Sequence, residues 1–126
     1  MKAIEKELDR LTQELSHNQL CRVCAKVFKR RKKAECIHHV DHRDNYILRY
    51  DIVNLIPVCH DCHRLIHDTK QINDKDYLSK ECLAYINQYR NKSYKDWLIF
   101  EKQMTEEEYF KECKNNLKQW KNKYCG

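Results

Sequence analysis

Apolar residues near the start of the chain recur with helical spacing. They are separated by four, three and four residues, and charged side chains fill most positions between them. Such a stripe covers one side of a helix. The stripe consists of Ile4, Leu8, Leu11 and Leu15. It predicts an amphipathic helix over residues 2–16, within an N-terminal segment 1–18.

The pattern changes over residues 19–69, where short β-branched pieces are rich in cysteine and histidine. Runs of this kind, four to eight residues long, are typical of strands. We expect one strand from Glu35 to Val40, a second from Val53 to Val58, and a short helix from His60 to His67. This segment therefore predicts a compact core.

Helical periodicity returns over residues 70–126. Asn73 or Asp74 is expected to cap a helix that carries Tyr77, Leu78, Cys82, Tyr85, Ile86 and Tyr89. Thr105 and Glu108 form a capping-box pattern at the start of a last helix. The chain has one glycine and one proline, so tight turns are few. The prediction is a single domain over residues 1–126 in which helices dominate.

Positive charge is concentrated between the first two cysteines and the histidines. The net charge of the chain is +6, and residues 18–34 contain no acid. A basic run of this kind fits the phosphates of a nucleic acid, although a solvated loop has the same composition. We expect DNA to be bound mainly through its backbone. The predicted contacts in this run are Lys26, Lys29, Arg30, Arg31, Lys32 and Lys33.

Eight cysteines raise the question of disulfides against metal binding. Four of them form two CxxC pairs separated by 34 residues, Cys21 with Cys24 and Cys59 with Cys62. Two such pairs offer four thiolates to one structural Zn²⁺. The start of the chain lacks an apolar signal segment, and no stretch has the ~20 apolar residues of a membrane span. We therefore predict a cytoplasmic zinc protein without a membrane partner.

The other four cysteines do not fall into such pairs. Cys36, Cys82 and Cys113 are interpreted as core residues, whereas the sequence indicates no role for Cys125.

Histidines and one asparagine stand in a fixed order around these cysteines. A doublet lies in Ile37-His38-His39-Val40, Asn54 follows fifteen residues after it, and His63 and His67 lie one helical turn apart. With both CxxC pairs, this order resembles the HNH, or ββα-metal, endonucleases over about 40% of the chain. The resemblance implies an α+β, mostly helical fold: a small zinc-stapled ββα-metal core flanked by an N-terminal helix and C-terminal helices.

The same resemblance implies an activity and a role for each residue. The activity is metal-dependent hydrolysis of DNA phosphodiester bonds. His38, His63 and His67 would hold one divalent ion (Mg²⁺, Mn²⁺, Ni²⁺ or Zn²⁺). His39 would be the general base, and Asn54 would orient it. Arg43 and Arg49 are further candidates for holding a phosphate, or else are solvated loop cations.

A second resemblance concerns the layout. Leu48-Arg49-Tyr50-Asp51, then Asn54, a CxxC pair and a helical tail resemble phage recombination proteins of the NinG (Rap) group. This implies branched DNA as the substrate and a phage-encoded protein acting in a host cell. The chain departs from that group at His63, where the group tends to have asparagine, and at His67, which has no counterpart there.

Three alternatives stay open on the sequence. Cys21, Cys24, His38 and His42 have nearly the spacing of a C2H2 zinc finger, but that interpretation leaves the second CxxC pair without a role. A zinc-stabilised DNA-binding module without catalysis is the second alternative. The third is a helical interaction protein, which leaves a monomer and a homodimer through the terminal helices both open.

Overall fold

The computed structural model describes residues 3–41, 47–90 and 92–124, and the predicted role of Arg43 lies outside them. Helix α1 runs over Ala3–Glu14. Of its apolar stripe, Leu8 and Leu11 are buried and Ile4 is partly buried, and Leu15 just after the helix is fully buried. The predicted N-terminal helix is therefore confirmed.

Helix α1 packs against the long last helix, α7, which spans Glu106–Tyr124. The Thr105 hydroxyl accepts the backbone N–H of Glu108 at 3.1 Å and donates to its carboxylate at 3.0 Å. Three glutamates fill the first turn, where the partial positive charge of a helix end stabilises them. The predicted capping box thus begins α7 as expected.

A two-stranded antiparallel ribbon lies at the centre of the chain. Strand β1 is Cys36–His39 and strand β2 is Leu55–Val58, with His38 opposite Ile56 and His39 opposite Leu55. A short helix, α2, precedes the ribbon over Arg22–Lys26. A 3₁₀ turn, Ile52–Asn54, leads directly into β2.

After β2 the chain enters helix α3, His60–Arg64, which continues as a wider π-helical segment over Leu65–Thr69. Strand β1 and the following helix agree with the sequence prediction, whereas β2 begins at Leu55 and not at Val53, because Ile52–Asn54 forms a 3₁₀ turn. The succession of two strands and a helix within a mostly helical chain confirms the predicted fold class.

The helix expected after Asn73 is interrupted, so that part of the prediction is wrong. Helix α4 covers only Asp74–Tyr77, and helix α5 begins again at Lys80–Arg90. Leu78 between them is extended, and the Ser79 hydroxyl accepts the backbone N–H of Cys82 at 3.1 Å. A serine that can cap a new helix competes with continuation of the old one.

After α5 the chain forms helix α6, Tyr94–Asp96, and a π-helical segment, Trp97–Lys102. Trp97 is fully buried, whereas Ile99 and Phe100 are 60% and 70% exposed.

Two apolar clusters lie on the two faces of the ribbon. Leu55 belongs to the cluster formed with α1 and α7, whereas Ile56 and Val58 belong to the cluster around the CxxC cysteines. Alternation along β2 separates them, because successive strand side chains point to opposite faces. Among the described residues, no helix is long and apolar enough to span a bilayer.

Candidate metal centres and active site

The four CxxC thiols meet at one point of the structure. Cys21 and Cys24 lie at the start of α2, and Cys59 and Cys62 lie at the start of α3. All four side chains are fully buried, and their sulfur atoms lie within 4.8 Å of one another. The backbone N–H of Cys24 donates to Cys21 Sγ at 3.3 Å. We call this group the four-cysteine cluster.

The spacing of these sulfur atoms suits a tetrahedral ion. Cys24 Sγ lies 3.5 Å from Cys62 Sγ and 3.9 Å from Cys59 Sγ. Sulfur atoms bound to zinc at about 2.3 Å in a tetrahedron are about 3.8 Å apart, whereas a disulfide requires about 2.05 Å. The donor set therefore fits Zn²⁺, and four protein ligands would leave no open position for chemistry.

Arg30 contributes to the charge balance of this cluster. Its Nε donates to Cys24 Sγ at 3.3 Å, and its guanidinium lies 4.8 Å from the centre of the Phe28 ring. Burial raises the pKa of the Cys24 thiol, but hydrogen bonds from Arg30 and the neighbouring thiols outweigh it, and the pKa is lowered overall. The arginine thus favours the thiolate that zinc binds.

The basic run is therefore divided between two environments. Arg30 lies against the four-cysteine cluster, and Lys32 forms an ion pair with Asp61 of α3 at 3.0 Å. Sequence reasoning grouped both with the DNA contacts. The remaining members of the run are exposed: Lys26, Lys29, Arg31 and Lys33.

Three histidines form a second cluster, which includes one residue of α3. His38 comes from β1, His63 from α3, and His67 from the π-helical segment. Their ligand nitrogens lie within 4.8 Å of one another. The His38 ring centre is 5.3 Å from that of His63 and 4.9 Å from that of His67. We call this group the three-histidine cluster.

The geometry of the three-histidine cluster fits a divalent ion. His63 Nε2 and His67 Nε2 are 3.0 Å apart. Two imidazole nitrogens bound to one ion at about 2.0–2.1 Å lie about 3.0–3.4 Å apart at the usual angles. His67 is exposed and His38 is buried, so the cluster opens to solvent on one side. Three ligands would leave coordination positions for water and substrate.

His38 has the protonation state that a metal ligand needs. Burial, followed by the charges of His67 and His63, lowers the pKa of His38 to about 3. Burial and the charge of His67 also lower the pKa of His63. Neutral imidazoles carry the lone pair that binds an ion. In addition, His38 Nδ1 is buried without a hydrogen-bond partner among the described residues.

Cys36 contacts this cluster, which the sequence interpretation as a core cysteine did not predict. Its Sγ lies 3.6 Å from His63 Nδ1 and 3.6 Å from the carbonyl oxygen of Val58. A thiol can donate to the carbonyl while accepting the imidazole N–H. Cys36 belongs to neither CxxC pair. Its only signal was its place two residues before His38, which puts both on one face of the strand.

His39 lies on the opposite face of the ribbon from His38. Its Nε2 is 3.1 Å from the carbonyl oxygen of Arg49. A carbonyl can only accept, so Nε2 carries the proton and the lone pair of the neutral ring is on Nδ1. His39 also lines a cavity of about 270 Å³ together with Glu35, Arg49 and Tyr50.

Asn54 is fully buried and holds the loop on both sides of a gap in the described chain. Its side-chain NH₂ donates to the carbonyl oxygens of Asp41 and Leu48, both at 3.0 Å. Its side-chain oxygen accepts the N–H of Asp41 at 2.6 Å. Its backbone oxygen accepts the N–H of Val40 at 3.0 Å. Asn54 thus fixes the backbone next to His39 on one side and next to Arg49 on the other.

Asp51 is a second buried residue of this region that sequence reasoning did not assign. It is 6% exposed, and its Oδ2 accepts the hydroxyls of Tyr85 and Tyr109, each at 2.6 Å. Its Oδ1 accepts the backbone N–H of Val53 at 3.0 Å. No spacing in the sequence indicates these contacts, because Tyr109 is 58 residues away.

Comparison with known families adds one finding. The family model described as HNH endonuclease matches residues 21–69. Residues 21–69 are therefore similar to an HNH endonuclease domain. The match contains both clusters, His39 and Asn54, while α1 and the helices after residue 69 lie outside it. No curated protein and no solved structure matched the chain. The resemblance to NinG proteins therefore stays a prediction.

Proposed function

We propose that this protein is a metal-dependent endonuclease that hydrolyses DNA phosphodiester bonds. The observation that supports it is the three-histidine cluster within the HNH match, beside a histidine whose tautomer is set by a backbone carbonyl. In this proposal the four-cysteine cluster holds a structural Zn²⁺ and joins α2 to α3. A reducing, cytoplasmic setting is part of the proposal, because zinc needs thiolates and not disulfides.

His38, His63 and His67 would hold the catalytic ion. When bound, a divalent ion stabilises the negative charge that develops on the phosphate and on the leaving oxygen. Three nitrogen ligands favour transition-metal ions over Mg²⁺, which prefers oxygen. Cys36 would accept the Nδ1–H of His63 and so direct its Nε2 towards the ion.

His39 would remove the proton from the attacking water through Nδ1. The Arg49 carbonyl can only accept a hydrogen bond, so the ring proton of His39 stays on Nε2 and Nδ1 keeps its lone pair. Asn54 would act as a positioning residue, because it holds the backbone on both sides of this contact. The exposed cations Lys26, Lys29, Arg31 and Lys33, with Arg43 and Arg49, would hold the DNA backbone.

A cleavage assay tests this proposal. Purified protein is incubated with supercoiled plasmid and with a branched DNA junction, in separate reactions with Mg²⁺, Mn²⁺, Ni²⁺ and Zn²⁺. We expect His39→Ala to lower the cleavage rate by about 10²–10⁴-fold at unchanged DNA affinity, since a general base contributes about that much. His17→Ala, an exposed histidine outside the HNH match, is the matched control and should cleave normally.

Each outcome separates the alternatives. Cleavage by His39→Ala at the wild-type rate would refute its role as the base. DNA binding by the wild-type protein without cleavage in any metal would indicate a zinc-stabilised binding module. Faster cleavage of the junction than of the plasmid would support the predicted NinG-like preference, and equal rates would count against it.

A further inference from the structure

A large groove runs along β2, and Cys21 is the one member of the two clusters that lines it. Its volume is about 950 Å³, near the top of the range of about 300–1,000 Å³ for small-molecule sites. Its walls come from residues 18–26, from residues 52–57 and from α7. We call it the β2 groove. Of its lining, the proposed function uses only Lys26, as a contact with the DNA backbone, and Cys21, as a zinc ligand.

The charges on the β2 groove all have one sign. Its lining includes Arg22 and Lys26 of α2 and Lys123 of α7, but no aspartate or glutamate. Lys26 and Lys123 are exposed, and Arg22 is partly exposed. Four side-chain amides add hydrogen-bonding groups around these cations. They belong to Asn18, Gln19, Asn116 and Gln119. A groove with this lining attracts an anionic ligand.

The floor of the groove is apolar. It includes the 40% exposed side chain of Leu20, the partly buried side chains of Ile52 and Val53, and Pro57. Duplex DNA presents phosphates and sugars at its surface and keeps the faces of its bases stacked inside. Unpaired nucleotides offer both phosphates for the cations and base faces for the apolar floor. The combination therefore favours a single strand over a duplex.

The edge of β2 disfavours an extended peptide in the same place. The Val40 N–H donates to the Asn54 carbonyl oxygen. Along an antiparallel ribbon, residue pairs that are hydrogen-bonded to each other alternate with pairs that are not. The backbone N–H and C=O groups of Ile56 therefore point towards β1, whereas the backbone groups of Leu55 and Pro57 point towards the groove. Proline has no N–H, so an added peptide strand would lose a hydrogen bond at this position.

We propose that the β2 groove binds a segment of unpaired DNA next to the HNH site. The inference rests on the proposed action on DNA and extends it to substrates that contain single-stranded nucleotides, such as junctions, flaps or gaps. The strand that follows Asn54 forms one wall of the groove, so DNA held there lies directly beside the HNH domain.

Fluorescence anisotropy with a labelled oligothymidine and a labelled hairpin duplex of equal length tests this inference, with zinc present and no added catalytic metal. The variant is Arg22→Gln with Lys123→Gln, which removes two groove cations that the proposed function does not assign to DNA. The matched control is Lys80→Gln with Lys95→Gln, which removes two exposed cations away from the groove.

We expect the groove variant to bind oligothymidine about tenfold more weakly and to flatten its salt slope by about 1.4, because each of the two lost single-strand phosphate contacts contributes about 0.7. Its duplex affinity should fall much less, and the control should retain both affinities. Equal losses for single strand and duplex, or equal losses in variant and control, would overturn the inference.

A competition with polyglutamate covers the other anionic macromolecule. Displacement of oligothymidine by polyglutamate at lower concentration than by unlabelled oligothymidine would assign the groove to an acidic protein segment and refute our proposal. The anisotropy comparison does not depend on catalysis. A wild-type protein that fails to cut DNA in any metal would refute the proposed function, while the single-strand preference would still decide the groove.

Discussion

The Asp51 carboxylate joins the helical tail to the loop whose Arg49 carbonyl contacts the proposed base, His39. It accepts hydrogen bonds from Tyr85 of α5 and Tyr109 of α7, each at 2.6 Å, and from the backbone of Val53 at 3.0 Å. It lies two residues after Arg49, whose carbonyl holds His39. We expect Asp51→Ala to destabilise the whole chain and not only this loop.

The magnitude follows from the two tyrosine hydroxyls. Burial raises the pKa of both Tyr85 and Tyr109, so each hydroxyl stays protonated and needs an acceptor. An unsatisfied buried polar group costs about 1–3 kcal/mol, so two of them cost about 2–6 kcal/mol. This cost is a large part of the free energy of unfolding of a typical domain, which is about 5–15 kcal/mol.

Urea unfolding followed by circular dichroism, at one fixed zinc concentration, measures this cost. Asp51→Asn keeps one oxygen acceptor and should lose less than Asp51→Ala. Tyr109→Phe removes one donor together with its need for an acceptor and should also lose less. The control, Asp96→Ala at an exposed aspartate, should change the free energy of unfolding by less than about 0.5 kcal/mol.

One result would refute this reasoning. If the free energy of unfolding of Asp51→Ala lies within about 0.5 kcal/mol of the values for the wild type and for Asp96→Ala, the Tyr85 and Tyr109 hydroxyls have other hydrogen-bond partners in the variant. The carboxylate would then not join the tail to residues 21–69.

Two further predictions concern the metal centres. Arg30→Gln should release zinc to a chelator about tenfold more readily, because Cys24 loses its charged hydrogen-bond donor. The control, Arg31→Gln, should release zinc like the wild type. Equal release by both variants would contradict the assigned role of Arg30. Cys36→Ala should weaken Ni²⁺ binding to the three-histidine cluster about tenfold, as measured by calorimetry, because His63 loses its hydrogen-bond partner. Cys36→Ser should restore most of the affinity. Unchanged binding in Cys36→Ala would rule out a positioning role for Cys36.

Local pattern alone determined much of this protein. The stripe of α1 and the capping box of α7 are local signals, and both helices form where predicted. The CxxC pairs and the histidines are also local, because a turn or a helix fixes the spacing within each pair. That is why the cysteine pairs and His63 with His67 could be named before their geometry was known, whereas the role of His38 was implied by the resemblance to HNH endonucleases.

Tertiary structure decided what depends on distant neighbours. The single helix predicted after Asn73 is interrupted, because Ser79 caps a new helix and tertiary packing outweighs the continuous apolar pattern. Arg30 and Lys32 looked like the rest of the basic run, yet the fold brings them to Cys24 and Asp61. Charge in a sequence does not reveal which cations the folded chain uses internally.

The partners of Asp51 and Cys36 were equally out of reach of the sequence. Tyr109 reaches Asp51 across 58 residues, and His63 reaches Cys36 across 27. Hydrogen bonds of this kind depend on where packing places each side chain, and residue spacing carries no record of that. The sequence determined which residue types could do chemistry, because metal binding needs particular donors at short spacing. Only the tertiary structure decided which neighbouring groups form hydrogen bonds and ion pairs with those residues.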